Sequence, residues 1–364
     1  MSAYHLDSLE IKNFRTFKHL TIEKLGRVNL IVGKNSVGKT ALLEALWFYA
    51  ARRPSLIWEI LQRHDEATDT DLIEGRTENG TRYRVEMSQR LFHGYSEILD
   101  EDTDIEIGDL HTPEKHFSLT RLWMQTTDSQ RQILRESPEV SIYHPAIPVL
   151  ALKINAIQET VYPLDKSALF TKAVKPVPHI FIGAEGFTSH LTEFWWEKVA
   201  LTSREEMVLK GLNLIEPIIQ RIAFVNRNGS SQNRYPLVKT SRYEEPVPLR
   251  TLGEGYNQLF QIILALVNSQ DGFCLVDEIE TGLHHTTLQQ LWELIFRIAD
   301  ELNIQVFATT HSEDCVRAFQ YAAAENEQVE GQLIRLELWN GQHTAIVLDE
   351  RQLGISVTQN IETR

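Results

Sequence analysis

The chain has 364 residues, of which 42% are hydrophobic, so it can bury a core large enough for one large domain or two closely packed lobes. Its formal net charge of −14 argues against a protein that coats nucleic acid through its overall field, although a local basic groove is compatible with it. There are two cysteines, and no apolar run has the length of a membrane span or follows a basic start, so we expect a cytoplasmic protein without a disulfide framework, signal peptide or anchor.

The N-terminal segment predicts a strand, a glycine loop and a helix in that order. Residues 6–14 and 27–32 are predicted β-strands, and the second is an apolar run that ends in the loop. From Thr40 to Arg53 apolar residues recur at helical spacing, and Pro54 ends the predicted helix. A glycine-rich turn is therefore expected between a buried strand and a helix N-terminus.

Two further elements are predicted between residues 72 and 110. Residues 72–91 contain two strand-like runs around Asn79-Gly80, which predicts a hairpin. The acidic run at 99–110 is predicted to be a solvated loop or sheet edge. It lacks the spacing and central glycine of a twelve-residue calcium loop, so we interpret it as structural.

The middle of the chain, residues 138–225, mixes short apolar strands with helical stretches. Residues 179–184 predict a strand and residues 202–219 a helix, whereas the polar run at 226–234 predicts a turn or mobile loop. No internal repeat and no sustained heptads occur there.

From residue 249 onward the pattern alternates between helix and strand. Residues 257–269 and 286–302 predict helices, and residues 273–278 and 304–312 predict buried strands. Such alternation is typical of a parallel sheet, so we expect an α/β protein.

The motif Gly33-x4-Gly38-Lys39-Thr40 matches the phosphate-loop pattern G-x-x-x-x-G-K-[ST] in full. Its glycines leave the backbone N–H groups open to phosphate oxygens, and the dipole of the following helix adds positive potential. Lys39 is expected to reach the β- and γ-phosphates, and the Thr40 hydroxyl to hold Mg²⁺. The sequence thus predicts a site for ATP with Mg²⁺.

Polar residues follow two of the predicted strands in the C-terminal part. Asp277 and Glu278 end one apolar strand, and because successive side chains diverge, Asp277 can serve the Mg²⁺ shell while Glu278 activates a water. His311 ends the next strand, where it could contact the γ-phosphate or that water. Ligands bind at the carboxyl ends of parallel strands, so we expect these side chains on the same rim as the glycine loop.

A second glycine pair, Gly253 and Gly255, precedes the helix that begins near residue 257. A helix N-terminus with flexible glycines is a further anion site. One chain does not need two such sites for one γ-phosphate. We therefore expect this helix to face the nucleotide of a second copy, with ATP closed between two protomers.

The order of these motifs resembles the ABC-type ATPase heads of the RecF, SMC and OLD-nuclease group, and most of all the compact OLD-like AAA ATPases found alone or in antiphage defence operons. The resemblance extends from "LEIKNFRTF" through "LGEGYNQ", "LVDEIETGLHH" and "FATTHS" to "QNIETR". It implies a P-loop NTPase fold of the ABC/RecF head type, with a mixed sheet, an antiparallel β-subdomain and a helical insertion. It also implies ATP hydrolysis in a dimer.

The resemblance further assigns roles to individual residues. It implies a signature motif at 252–256 that acts in trans, a dimer-contacting loop at 280–285, an aspartate–glutamate pair and a switch histidine, with Glu278, His311 and Lys39 as catalytic residues and Thr40 and Asp277 as metal ligands. Residues implied in nucleotide binding are Arg15, Gly33, Lys34, Asn35, Ser36, Val37, Gly38, Lys39, Thr40, Ala41, Gly253, Glu254 and Gly255.

The sequence departs from this pattern at several points. Gly253 stands where the signature motif usually has a serine, so backbone N–H groups would have to contact the γ-phosphate there. The glutamine loop has two candidates, Gln89 and Gln158. The chain has no long heptad arms, and the 53 residues after His311 are too few for a Toprim nuclease domain.

We expect one ABC-type ATPase domain over residues 1–364. An N-terminal lobe (1–95) would carry the phosphate loop and β-subdomain, an insertion (96–245) would form a helical lobe, and a C-terminal lobe (246–364) would carry the remaining motifs. The neighbouring His284 and His285 lack a second pair at ligand spacing, so we attribute them to the dimer-contacting loop rather than to zinc.

The leading functional hypothesis is an ATP-dependent homodimer, or a higher oligomer, that senses a signal and regulates a separate effector in antiphage defence or DNA metabolism. A Toprim or HNH nuclease is the expected effector, DNA is a further partner to test, and no membrane contact is expected. One alternative is a RecF-like repair ATPase that acts on DNA directly. The other is a nucleotide-gated scaffold with negligible turnover.

Overall fold

The computed structural model describes most of the chain between residues 4 and 348. The described ranges are 4–53, 55–66, 89–95, 104–127, 130–134, 146–154, 158–163, 175–214, 216–226, 234–326 and 328–348. The hairpin predicted around Asn79-Gly80 lies outside these ranges.

The central sheet is mixed and has the strand order β16-β15-β3-β14-β13-β9. Its strands from β15 to β9 are parallel to their neighbours, and only β16 is antiparallel, to β15. Every residue of β3, β13 and β14 is buried, which is the pattern expected of parallel strands covered on both faces. The strands are β3 (Val28–Gly33), β9 (His179–Ile182), β13 (Phe273–Val276), β14 (Gln305–Thr309), β15 (Gly331–Trp339) and β16 (Gln342–Leu348).

Helices cover the two faces of the central sheet. Because successive strand residues point to opposite faces, Leu30 contributes to one core cluster and Ile31 to the other. Helices α1 and α2 pack on the Ile31 side, and α5, α6 and α7 pack on the Leu30 side. The helices are α1 (Lys39–Ala51), α2 (Leu56–Arg63), α5 (Glu254–Asn268), α6 (His285–Glu301) and α7 (Glu313–Glu325).

An antiparallel sheet lies over the α1 side, with the order β2-β1-β4-β5-β7-β8 and β6 paired to β5. Most of its buried residues belong to the same core cluster as α1 and Ile31, so the sheet packs on the phosphate-loop helix, whereas Leu122, Val149 and Ala151 form a separate small cluster. The expected antiparallel β-subdomain is therefore present. Its strands are β1 (Leu9–Phe14), β2 (Phe17–Ile22), β4 (Ile105–Gly108), β5 (His116–Thr127), β6 (Gln130–Leu134), β7 (Ala146–Ile154) and β8 (Gln158–Pro163).

The acidic run at 99–110 differs from its prediction as a solvated segment. Ile105–Gly108 forms β4 between β1 and β5, and the side chains of Ile105 and Ile107 are buried. Within β4 the two isoleucines alternate with Glu106, so Ile105 and Ile107 enter the core while Glu106 points to the other face of the sheet. The prediction of a solvated segment relied on the acidic composition of the run and overlooked this alternation of apolar and polar residues.

The insertion contains less helix than expected in its described part. Two helices, α3 (Ser189–Glu197) and α4 (Ser203–Leu212), precede a small sheet of β10 (Ile219–Asn226), β11 (Arg234–Thr240) and β12 (Val247–Pro248). The helix predicted over 202–219 is wrong at its C-terminal end.

Asn213 explains where α4 stops. Its side-chain amide donates to the carbonyl oxygen of Ile219 at 2.9 Å and accepts from the Ile219 backbone N–H at 2.9 Å. Pro217 also disfavours a helical conformation in the residue before it. The chain therefore turns into β10 at Ile219. Within the described residues, no helix is both long and apolar enough to cross a membrane.

A buried carboxylate fixes the N-terminus to the antiparallel sheet. Asp109 is 1% exposed, and its carboxylate accepts hydrogen bonds from the backbone N–H groups of Asp7 (3.0 Å), Ser8 (3.2 Å) and His111 (3.1 Å). Burial on its own raises the pKa of the Asp109 carboxyl, but these hydrogen bonds outweigh it and hold the pKa below its ordinary value.

We predict that Asp109→Ala lowers the free energy of unfolding at pH 7 by about 1–3 kcal/mol, because buried N–H groups lose their acceptor. A carboxyl whose pKa is lower in the folded state stabilises the protein above the unfolded pKa of about 4 and loses that effect as the pH falls through the folded pKa. The difference in the free energy of unfolding between wild type and variant, measured by urea denaturation, should therefore decrease as the pH is lowered. Asp7→Ala, which removes an exposed carboxylate paired with Lys115, is the control and should change the stability little. A deficit that stayed constant down to pH 2 would contradict this account.

Candidate nucleotide site

The phosphate loop connects β3 to α1 and needs glycine at both ends. Gly33 has a φ of 148° and Gly38 a φ of 101°, and both values lie in the region that favours glycine. A Cβ on Gly33 would lie 2.6 Å from the Leu336 carbonyl oxygen, and a Cβ on Gly38 would lie 2.7 Å from the Phe17 ring. The loop is therefore pressed between β15 and the β1–β2 hairpin, and no larger residue fits at these two positions.

Lys39 extends across the loop rather than into solvent. Its ammonium group donates hydrogen bonds to the carbonyl oxygens of Gly33 (2.7 Å) and Lys34 (3.1 Å), and the residue is 5% exposed. Burial lowers the pKa of Lys39, while the carboxylates of Asp277 and Glu278 act in the opposite direction. The cation thus lies within the loop, where phosphate oxygens can replace the two carbonyl oxygens.

A chain of hydrogen bonds joins the phosphate-loop helix to the two carboxylates. The Thr40 hydroxyl donates to Asp277 Oδ2 at 2.9 Å, and the Thr309 hydroxyl donates to Asp277 Oδ1 at 2.5 Å. The same Thr309 oxygen accepts the backbone N–H of Glu278 at 2.8 Å. Thr309 therefore fixes both members of the pair, a role that sequence analysis did not assign to it.

Asp277 and Glu278 occupy different environments, as expected for successive residues at a strand end. Asp277 is buried at 8% exposure, whereas the Glu278 side chain is 42% exposed. Glu278 has a φ of 48°, an unusual value for a residue with a side chain, and it turns its carboxylate toward the cavity described below. Asp277 thus faces Thr40 while Glu278 reaches solvent.

His311 lies on the same rim as Glu278, as predicted for the carboxyl ends of β13 and β14. Its Nε2 atom is 3.8 Å from Glu278 Oε1, and its backbone N–H donates to Glu280 Oε1 at 2.7 Å. The imidazole is 40% exposed. The two side chains thus stand side by side at the mouth of the site.

The phosphate loop and this rim line a cavity of about 950 Å³, which extends toward the end of α2 and the segment 89–95. A second cavity of about 450 Å³ adjoins the same loop, and Gly33, Lys34 and His311 are among the residues that line it. Val37 is buried in the core. The larger cavity is lined by Arg15, Thr16, Asn35, Ser36, Gly38, Lys39, Thr40, Ala41, His64, Glu66, Arg90, Phe92, Gly94, Glu278 and His311.

Arg15 lines the larger cavity but is held by two carboxylates. Its Nη1 atom is 2.9 Å from Glu66 Oε2, and its Nε atom is 3.3 Å from Oε2 of Glu44, a residue of α1 that is 1% exposed. His64 Nε2 lies 2.6 Å from the other Glu44 oxygen. Sequence analysis missed Glu44, His64 and Glu66, because they come from α1 and the end of α2 and share no motif spacing with Arg15.

The second glycine pair lies outside both of these cavities. Gly253 and Glu254 are exposed at the start of α5, and Gly253 has a φ of 119° with open space around it. A Cβ on Gly255 would lie 3.3 Å from the carbonyl oxygen of Gly282. The predicted signature segment therefore packs against the loop at 280–285, exposes Gly253 and Glu254, and lines neither of the two cavities beside the phosphate loop of its own chain.

The remaining candidate residues are also placed. Gln89 begins the segment that lines the larger cavity through Arg90 and Phe92, whereas Gln158 lies in β8 of the antiparallel sheet. The His284 side chain accepts the backbone N–H of Thr286 and so caps α6. Gln89 is thus the glutamine-loop candidate next to the site.

Two family models match the chain. A model described as "AAA ATPase domain" matches residues 5–169, and one described as "AAA domain, putative AbiEii toxin, Type IV TA system" matches residues 199–314. The first match contains the phosphate loop, and the second contains the glycine pair, the two carboxylates and His311.

Individual relatives agree with these matches. An "ATP/GTP phosphatase" of Helicobacter pylori is 22% identical over 88% of this chain and 89% of its own length. The RecF protein of Lactobacillus acidophilus is 41% identical, but only over 19% of this chain and 16% of its own length. The solved Smc head bound to the C-winged helix domain of ScpA has a TM-score of 0.50 and 11% identity, with coverage of 95% of this chain and 98% of that one, so it supports the fold alone.

We predict that Thr309→Val lowers nucleotide turnover about ten- to a hundredfold. Valine keeps the volume but removes the hydroxyl, and hydrogen bonds to charged groups contribute about 1.5–3 kcal/mol. Thr309→Ser keeps the hydroxyl and is the matched control. Steady-state phosphate release would measure both variants, and a valine variant as active as the serine variant would show that the hydroxyl does not hold the pair.

Proposed function

Since the chain is a RecF-like ABC-type AAA ATPase, we propose that two copies close head to head around ATP, hydrolyse it and pass the resulting opening motion to a separate effector. The observation that carries this proposal is the separation of the two anion-binding elements. The phosphate loop and Glu278 line one cavity, whereas the exposed Gly253 and the half-buried Gly255 line neither cavity beside that loop. A second copy is needed to bring them together.

The residues of the site divide the chemistry among them. On ATP binding, the Lys39 ammonium exchanges the Gly33 and Lys34 carbonyl oxygens for phosphate oxygens, and the N–H groups of the loop and of the α1 N-terminus complete the cradle. Glu278 is the general base: its carboxylate is half exposed, so water reaches it, and its backbone is fixed by Thr309. His311 is close enough to orient that water or the γ-phosphate.

Thr40 and Asp277 fit a Mg²⁺ ion. Their side chains supply hydroxyl and carboxylate oxygens that already lie 2.9 Å apart, and oxygen ligands are those that Mg²⁺ prefers. When bound, the ion would neutralise charge on the phosphates. Thr309 keeps the Asp277 carboxylate oriented for this role.

The start of α5 can bind a phosphate group that is held by another molecule. It exposes the first N–H groups of a 15-residue helix, and Gly253 leaves space for close approach because it carries no side chain. Backbone N–H groups therefore take over the contact that the missing signature serine would make. The proposal that ATP closes a homodimer, or a higher oligomer, rests on this surface.

Regulation of a separate effector is the cellular role that we propose, in antiphage defence or DNA metabolism. The match to a family described by a toxin of a type IV TA system supports defence. The effector in this proposal is a nuclease encoded separately, such as a Toprim or HNH protein.

A second candidate is an ATPase that acts on DNA itself, favoured by the local identity to RecF. In that case DNA would stimulate turnover of the isolated protein. A third is a nucleotide-gated scaffold, for which ATP-dependent dimerisation would persist without measurable turnover. Assays of turnover with and without DNA separate the three.

Glu278→Gln should bind ATP, hydrolyse it about 10²–10⁴-fold more slowly and accumulate as a dimer. Glutamine keeps the shape of the side chain but cannot accept the proton. Light scattering after gel filtration in ATP measures the dimer, and Lys39→Ala, which loses the phosphate cation, is the control expected to bind no ATP and remain monomeric. Wild-type turnover in Glu278→Gln would assign the base to another residue.

Gly255→Arg should leave nucleotide binding near normal but abolish ATP-dependent dimerisation and turnover together. The long cation would stand where α5 must approach the opposite γ-phosphate, and Gly255 lines neither cavity beside the phosphate loop of its own chain. Gln270→Arg adds the same charge at the other end of α5, next to the amino end of β13, and should behave as wild type. Turnover per monomer that is unchanged in Gly255→Arg and independent of protein concentration would refute the dimeric mechanism.

The effector proposal is tested by expressing the chain with each product of its neighbouring genes. We expect one product to co-purify and to cleave plasmid DNA in a manner that depends on whether wild type or Glu278→Gln is present with ATP. The absence of any such product, together with DNA-stimulated turnover of the chain alone, would favour the RecF-like candidate.

A further inference from the structure

The loop that follows Glu278 is a compact pair of turns. The backbone N–H of Thr281 donates to the Glu278 carbonyl oxygen and that of Leu283 to the Glu280 carbonyl oxygen, each at 2.9 Å. Ile279 is fully buried, and its N–H donates to the Thr309 carbonyl oxygen at 3.1 Å. The loop is thus fixed to the end of β14.

Within this loop the Glu280 carboxylate reaches across to the next strand end. Its Oε1 atom accepts the His311 backbone N–H at 2.7 Å. Its Oε2 atom is buried and has no hydrogen-bond partner among the described residues. Glu280 does not line the large cavity, and its hydrogen bond to the site is the one with His311, although its negative charge also acts on Lys39 and raises the pKa of that residue against the larger effect of burial.

The backbone N–H groups of the residues on either side of His311 have hydrogen-bond acceptors outside the loop at 280–285. The Thr310 N–H donates to the Ile31 carbonyl oxygen, and the Ser312 N–H donates to the Thr310 hydroxyl. The His311 N–H is therefore the one in this turn whose acceptor comes from the loop after Glu278. Glu280 sets the peptide plane that aims the imidazole at Glu278, 3.8 Å away.

The other end of the loop touches the start of α5. The Gly282 carbonyl oxygen lies 3.3 Å from the position of a Cβ on Gly255, and Gly282 also packs beside Glu254. A movement of the α5 N-terminus would press on this loop and, through Glu280, on His311. The surface offered to a second copy is thereby connected with the site of the same chain.

We propose that Glu280 is a positioning residue that orients His311 and transmits the engagement of the α5 N-terminus to it. This inference rests on the proposed role of His311 in hydrolysis. It assigns to Glu280 a hydrogen-bond acceptor function, for which a neutral amide oxygen suffices.

The first test compares Glu280→Ala with Glu280→Gln in steady-state ATPase assays. We expect the alanine variant to lose at least tenfold in kcat with a KM within about threefold of wild type, because the residue does not touch the nucleotide cavity. The glutamine variant keeps the acceptor oxygen and should stay within about threefold of wild type in both constants. Glu313→Ala, which removes a half-exposed carboxylate two residues after His311, is the control and should be unchanged.

Several outcomes would overturn the inference. Unchanged kcat in Glu280→Ala would remove the positioning role, and a glutamine variant as slow as the alanine variant would show that charge, not the hydrogen bond, matters. A rise in KM without loss of kcat would indicate a role in binding. His311→Ala is measured in parallel: if it retains turnover, the proposed role of His311 fails, whereas if it is inactive and Glu280→Ala is not, only the present inference fails.

A double-mutant cycle tests the transmission. Gly255→Ala adds one methyl group against the Gly282 carbonyl oxygen, and we expect a severalfold fall in kcat that disappears in the Glu280→Ala background, because the path to His311 is already broken. Additive effects of the two substitutions would mean that the loop does not connect them.

Discussion

The hydrogen bonds of Thr309 are the constraint on which the site depends. One hydroxyl group donates to the Asp277 carboxylate and accepts the Glu278 N–H, while Asp277 also accepts from Thr40 on the phosphate-loop helix. Three elements of different sequence position, α1, β13 and β14, are thereby held at fixed distances. Glu278 has an unfavourable backbone φ, and without the hydrogen bond from its N–H to Thr309 nothing would hold its amide in that conformation.

The layered architecture explains why the site can be both rigid and open. The strands that deliver it are buried on both faces by the two core clusters, so their carboxyl ends cannot shift independently. The side chains beyond those ends, Glu278 and His311, are about two-fifths exposed and free to meet a nucleotide. On the same rim, the loop at 280–285 joins these side chains to the start of α5, which the chain presents outward. A rigid base with exposed side chains at its rim suits the dimeric ATPase that we propose.

Particular residues show how far sequence reasoning reaches. The phosphate loop, the parallel β13 and β14, and the placement of His311 beside Glu278 follow from local patterns, because apolar period and glycine spacing are local properties. The α/β head fold and the ATPase family predicted from them are confirmed. By contrast, β4 was not recognised because it lies within an acidic run, and α4 was extended too far because the pairing of Asn213 with Ile219 has no pattern of its own.

The sequence by itself determined the order of motifs, the phosphate loop with its two obligatory glycines and the identity of the paired carboxylates. Only the tertiary structure decided that Thr309 holds that pair, that Glu44 and Glu66 hold Arg15, and that Glu280 reaches the His311 backbone. It also decided that the α5 N-terminus lines neither cavity beside its own phosphate loop. Motifs can be recognised in sequence because their residues are close along the chain, whereas these contacts join residues that approach only when strands and helices from distant segments pack into one sheet edge.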